Sequence, residues 1–147
     1  MALEKLKRGI RASKNAVTST ANEALTKIQK AAKESTQYFY DTYDPTYYDR
    51  LYDINNAYIP VDFKFGSGRT VGVIFSSGHM QMAHNASNDF IFENSWVGGR
   101  HGNPAWPSTA VTSPSPKSKM DMDFQRICAE IGASFAANIS AQIHRYF

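Results

Sequence analysis

The sequence predicts an α+β protein, a small antiparallel β-sheet packed with long N-terminal and C-terminal α-helices. Three observations carry that prediction. Residues 2–40 contain no proline and repeat apolar side chains near a helical period. Residues 61–76 hold two short runs of strand-forming residues about a glycine turn, and Met120–Phe147 repeats isoleucine or phenylalanine every fourth position. With 147 residues the chain is expected to form a single domain, 1–147, around one modest core.

The first element, 1–40, reads as one long basic helix whose stripe runs through Leu3, Leu6, Ile10, Val17, Ala21, Leu25, Ile28 and Ala32. At 1.5 Å per residue it would extend roughly 55–60 Å. A domain of this size does not cover such a length, so part of the helix is expected to pack on another subunit or to bend. Asn15–Thr20, weakly helical and poor in large apolar groups, is the expected place for a break. Up to Glu34 there are eight basic residues against three acidic ones, while the rest of the chain carries eight and ten. A basic arm on a near-neutral body points to an acidic partner, protein or nucleic acid, with Lys27, Lys30 and Lys33 as candidates; a solvated helix face is the plain alternative.

A tyrosine-rich stretch follows, Tyr38 to Asp53. Asp44-Pro45 marks a turn, and Asp44 can cap a short helix over 44–57 with Pro45 in its first position. Short antiparallel strands are expected within 61–97. Val61, Phe63 and Phe65 alternate with Asp62 and Lys64, the pattern of a half-buried strand; Gly66–Arg69 is the turn and Thr70–Ser76 the return strand. Phe90–Val97 reads as a third strand, with Phe90, Phe92 and Trp96 opposed to Ile91 and Glu93. The segment 98–119 is rich in glycine and proline and reads as a long loop carrying Trp106, a residue best explained by a partner that buries it. The last element, 120–147, is a helix whose core face is Phe124, Ile127, Ile131, Phe135, Ile139 and Ile143, with Cys128 beside them as a small buried hydrophobe.

No constellation specifies a reaction. His79 and His84 are five apart, off the spacing of a helical metal pair; His101 sits among turn-forming glycines; Gly66 and Gly68 precede a strand rather than a helix. Asp41, Asp44, Asp49 and Asp53 lack the glycine of a calcium loop. The expectation is therefore a protein that is not an enzyme, with no catalytic residues, metal or cofactor. The single cysteine allows no intrachain disulfide. No secretory leader pattern and no bilayer-spanning run is seen, so synthesis in a reducing cytoplasm and no membrane partner are expected.

Two motifs carry a resemblance. Asp44-Pro45-Thr46-Tyr47-Tyr48-Asp49-Arg50-Leu51-Tyr52-Asp53 follows the long helix, and Phe92-Glu93-Asn94-Ser95-Trp96 leads into Gly98-Gly99-Arg100-His101-Gly102. In this order they resemble the tail-completion, or head–tail joining, family of long-tailed double-stranded DNA bacteriophages, also described as neck or minor capsid proteins. The resemblance implies a structural virion protein, assembled in the host cytoplasm and located in the neck. It implies a homo-oligomeric ring, six-fold with twelve-fold as the alternative, between the head connector and the tail tube or tail terminator. DNA would pass through without sequence-specific binding. Trp106, Trp96, Arg100 and His101 are the candidate partner contacts. The rival expectation is a nucleic-acid-binding module using the basic helix.

Overall fold

The computed structural model describes residues 2–42, 52–66, 68–81, 86–101, 111–112 and 115–146. The fold is α+β, with two long helices, α1 (Ala2–Asp41) and α3 (Pro116–Tyr146), enclosing the core with a hairpin of β1 (Tyr58–Phe65) and β2 (Gly68–Phe75). Between hairpin and α3 lie a 3-10 turn (Ser77–His79), α2 (Asn88–Phe92), a π turn (Glu93–Val97), and the two-residue strands β3 (Arg100–His101) and β4 (Val111–Thr112).

Helix α1 runs through Asn15–Thr20 without the expected break. Weak propensity there is overridden by tertiary contact: Val17 is half-buried, and the Arg69 guanidinium reaches the Thr18 carbonyl at 3.5 Å. Ile28, Ala31, Ala32, Phe39 and Tyr40 form α1's share of the core. Small Ala31 and Ala32 let α3 approach closely, and Met120 and Ile127 fill the facing side. The helices are antiparallel. Lys27 of α1 pairs with Glu130 of α3 at 3.3 Å, and Ser35 Oγ lies 4.0 Å from Met120 Sδ.

Helix α3 begins at Pro116, four residues ahead of the expected Met120. The signal was the pair Ser115-Pro116. Ser115 Oγ accepts from Ser118 N at 3.2 Å as an N-cap, and Pro116 fills the first position, where its missing N–H costs nothing. Along α3 the expected core face is corrected at both ends. Ile127 is buried and Ile131, Phe135 and Ile139 are half-buried, but Phe124 is 42% and Ile143 50% exposed. A row spaced by four advances about 40° per step around a helix of 3.6 residues per turn. From Ile127 to Ile143 it therefore winds nearly halfway round. Phe124 sits about 60° off Ile127 by the same geometry, and Cys128, expected to be buried, is exposed.

The hairpin forms where expected, with Phe65 opposite Gly68 and Gly66 at φ +52°, a conformation that suits glycine. The expected half-buried face is corrected. Tyr58 pairs with Phe75 and Pro60 with Val73, and it is Tyr58, Val73 and Phe75 that pack on the core. Ile59, Phe63 and Ile74 belong to the other face and are 46%, 55% and 48% exposed. The inward face instead carries Asp62 and Arg69, joined in a two-pronged ion pair at 2.7 and 2.8 Å. That pairing lets polar residues face α1 and turns the phenylalanine outward.

Of the expected short helix 44–57, residues 43–51 lie outside the described residues; Asp53–Asn56 form a 3-10 turn. Tyr40 Oη accepts from Ile54 N at 3.1 Å, and buried Asp53 accepts from Gln81 N at 3.0 Å and Asn56 Nδ2 at 2.9 Å. These bonds tie the hairpin's entrance to the end of α1.

Candidate functional site

The third strand expected at Phe90–Val97 is a helix. Ser87 Oγ accepts from Phe90 N at 3.2 Å, capping α2, and Asp89 lies in the first turn, where the helix dipole favours it. The alternation of aromatic residues mimicked a strand, whereas Ser87-Asn88-Asp89 was the stronger signal. After Phe92 the backbone widens into a π turn closed by Gly98 N bonding to Glu93 O at 2.9 Å. Glycine fits closely here, since a Cβ at Gly98 would meet the carbonyl oxygens of Glu93 at 3.1 Å and Asn94 at 3.2 Å, a tight contact that the backbone would have to relieve. Gly99, at φ +58°, then turns the chain into β3.

Trp96, expected to contact a partner, is a core residue at 2% exposure. It stacks on Phe75, and its carbonyl accepts from Ser115 Oγ at 3.0 Å. Arg100 and His101 stand in β3 opposite Thr112 and Val111; Trp106 lies outside the described residues. Beside Trp96 an open apolar cleft of about 320 Å³ is lined by Phe75, Phe92, Val97 and Met120, with the Lys117–Asp121 ion pair at its rim.

The three candidate lysines differ. Lys27 bridges Glu23 at 3.2 Å and Glu130 at 3.3 Å, so it ties α1 to α3. Its pKa is raised, chiefly by the hydrogen bond to Glu23 and then by that to Glu130. Lys30 lies 3.7 Å from Glu34, and Lys33 is exposed and makes no ion pair among the described residues. The basic character that remains open lies nearer the N-terminus. Lys5, Arg8, Arg11 and Lys14 are exposed and make no ion pair among the described residues. On another side of the same turns from Lys5, Arg8 and Arg11, Leu3, Leu6 and Ile10 are 62%, 43% and 48% exposed. They continue the stripe that packs on α3, but the antiparallel register set by Lys27–Glu130 brings Tyr146, the end of α3, level with about Ile10. Beyond it the apolar stripe has no neighbouring helix among the described residues.

Among the described residues no three His, Cys, Asp or Glu side chains converge as metal ligands, and no helix is long and apolar enough to cross a membrane. Among the described residues, exposed apolar side chains lie at the α1 tip, on the outer hairpin face, along α3, where Met122 is 66% exposed, and at the end formed by α2 and the π turn, where Phe90 and Val97 are 40% and 38% exposed. No protein-family model, curated protein or solved structure matches this chain.

Proposed function

We propose that this chain is a structural subunit of a tailed-bacteriophage virion, forming a ring in the neck between the head connector and the tail. The observation that carries the reading is α1 itself. Forty residues long, it extends about 60 Å, and its apolar stripe continues past the end of α3 into Leu3 and Leu6. Apolar side chains aligned on one helix face and left in water are favoured when a neighbour covers them. The exposed Ile59, Phe63 and Ile74 of the hairpin supply a second such surface. Both are features of a subunit that completes its core by assembly. The two sequence motifs resembling neck proteins supply the choice of assembly, with the connector and tail proteins as partners and DNA in the channel.

The reading is tested by locating the chain in purified phage particles and counting its copies. Six copies, labelled at the head–tail junction, are expected. Absence from the particle, or a single copy, sinks the proposal.

The second reading, a nucleic-acid-binding module, draws on Lys5, Arg8, Arg11, Lys14 and Lys33, which are exposed and make no ion pair among the described residues. It predicts affinity for duplex DNA that falls steeply with salt. Engagement of Lys27 by two carboxylates removes one of its candidate contacts.

A further inference from the structure

The far half of the helix pair, residues 2–22 of α1 with 131–146 of α3, holds six basic residues against one acidic, Glu4, which pairs with Lys7 at 3.0 Å. Its exposed apolar groups share one side. Ile10 lies five full turns before Ile28 and so repeats its bearing, with Leu3 and Leu6 about 20° and 40° to either side. On α3, Glu130 stands about 60° to one side of Ile127, facing Lys27, while the row from Ile127 to Ile143 turns the other way. Ile143, half exposed, therefore opens on the side of the pair that carries Ile10, away from the Lys27–Glu130 bridge. The cations take the rest of the circumference of α1. From Ile10, Lys14 lies about 40° round, Lys7 about 60°, Arg11 about 100°, and Lys5 and Arg8 about 140° and 160°. All five are exposed.

We propose that this face lies on an anionic lipid bilayer, with Leu3, Leu6, Ile10 and Ile143 sunk to the acyl boundary and the cations among the headgroups. Charge and shape together choose that occupant. A helix with one apolar stripe and otherwise basic faces suits a membrane interface, where side-facing cations meet lipid phosphates. Duplex DNA would use the cations and leave the leucines in water. A second copy laid face to face would cover the leucines but bring two basic ends together. An acidic groove in a partner protein takes a single helix, whereas this face is two helices wide. Attachment is to the surface only, since among the described residues no helix is long and apolar enough to cross a membrane. The proposal goes beyond the neck reading and does not rest on it.

The test is cosedimentation of the full chain with lipid vesicles. At about 100 mM NaCl, binding to phosphatidylcholine vesicles containing about 30% phosphatidylserine should exceed binding to pure phosphatidylcholine by roughly tenfold or more, and should fall at about 500 mM. Leu3→Ser/Leu6→Ser should weaken binding about tenfold. Arg11→Gln/Lys14→Gln, nearer the apolar side, should also weaken it about tenfold, whereas Lys5→Gln/Arg8→Gln, on the far side of the helix, should cost less than about threefold. All these side chains are exposed, so the urea midpoints of the variants should stay close to the parent's. Equal binding to neutral and anionic vesicles, or binding to neither, overturns the proposal without any variant. A leucine variant that binds like the parent overturns it too. So does a greater loss from Lys5→Gln/Arg8→Gln than from Arg11→Gln/Lys14→Gln, which marks a ligand that reads the cations alone. Duplex DNA or a second copy bound in place of anionic vesicles assigns the face to that partner and has the same effect. The neck reading falls separately: vesicle binding by a protein missing from particles keeps this proposal and rejects the neck, whereas six copies in particles with no vesicle binding does the reverse.

Discussion

The Trp96 indole stacks on the Phe75 ring with centroids 4.1 Å apart and planes 22° from parallel. This contact joins the π turn to β2, and Phe92 adds a second ring at 6.4 Å from the indole. Replacing Trp96 by alanine removes the largest side chain of the core at the junction of hairpin, π turn and α3. Truncations of this kind cost about 3–5 kcal/mol. Urea unfolding of Trp96→Ala should show that loss; a midpoint equal to the parent's would mean that the indole is not part of the core.

Trp96 also shows what was legible in the sequence and what was not. The two long helices and the hairpin follow from local periodicity, which the chain obeys over many residues. Phe90–Val97 is short, and its aromatic alternation spans too few positions to outweigh an N-cap serine followed by an aspartate. Inward and outward faces of the hairpin were indistinguishable locally, because the exposed Asp62 takes its place on the face turned to α1 through its ion pair with Arg69 across the strands. The winding of the row from Ile127 to Ile143 could be computed from the sequence, but the partner surface that decides where burial stops could not. At the candidate site the basic residues were legible, whereas their state depends on tertiary partners: Lys27 is engaged by Glu130 while Arg8 and Arg11 make no ion pair among the described residues.

Tyr40→Phe should destabilise the chain by about 1–3 kcal/mol, because the change leaves the buried Ile54 N–H without its acceptor while keeping the ring's packing on Phe39. Tyr38→Phe, on the exposed side of α1, is the control and should shift stability by less than about 0.5 kcal/mol. Equal effects of the two changes in urea unfolding would remove the special role of the Tyr40 hydroxyl.

Ile127→Asp and Ile143→Asp should separate sharply although both belong to one four-residue row. Ile127 is 3% exposed, so a carboxylate there is buried without a partner and should cost about 3–5 kcal/mol. Ile143 is half exposed in the last turn of α3, where the change should cost within about 1 kcal/mol, part of it from the unfavourable helix dipole. Similar melting temperatures for the two variants would contradict the assigned face of α3.

Acid should loosen the pairing of α1 with α3 through Glu130. Its carboxylate is held below its ordinary value of 4.5, first by the hydrogen bond from Arg126 and then by that from Lys27. Asp123, with Lys119 as the leading cause, and Asp62, with Arg69, are likewise held below 3.8. A carboxylate whose folded pKa is depressed contributes stability that is fully present above its unfolded pKa and is lost as pH falls through the folded one. Lys27, raised above 10.5, has the opposite sign: its contribution holds below that value and fades only at stronger alkalinity. Between about pH 6 and pH 9 the melting temperature of the parent should therefore exceed that of Glu130→Gln by a constant margin. Below about pH 4 the margin should shrink, because protonation then removes from the parent the same charge that the glutamine lacks. Exposure of the pair keeps the margin small, so the informative result is its pH dependence rather than its size. A margin that persists unchanged to about pH 2.5 would show that Glu130 acts by packing and not by its charge.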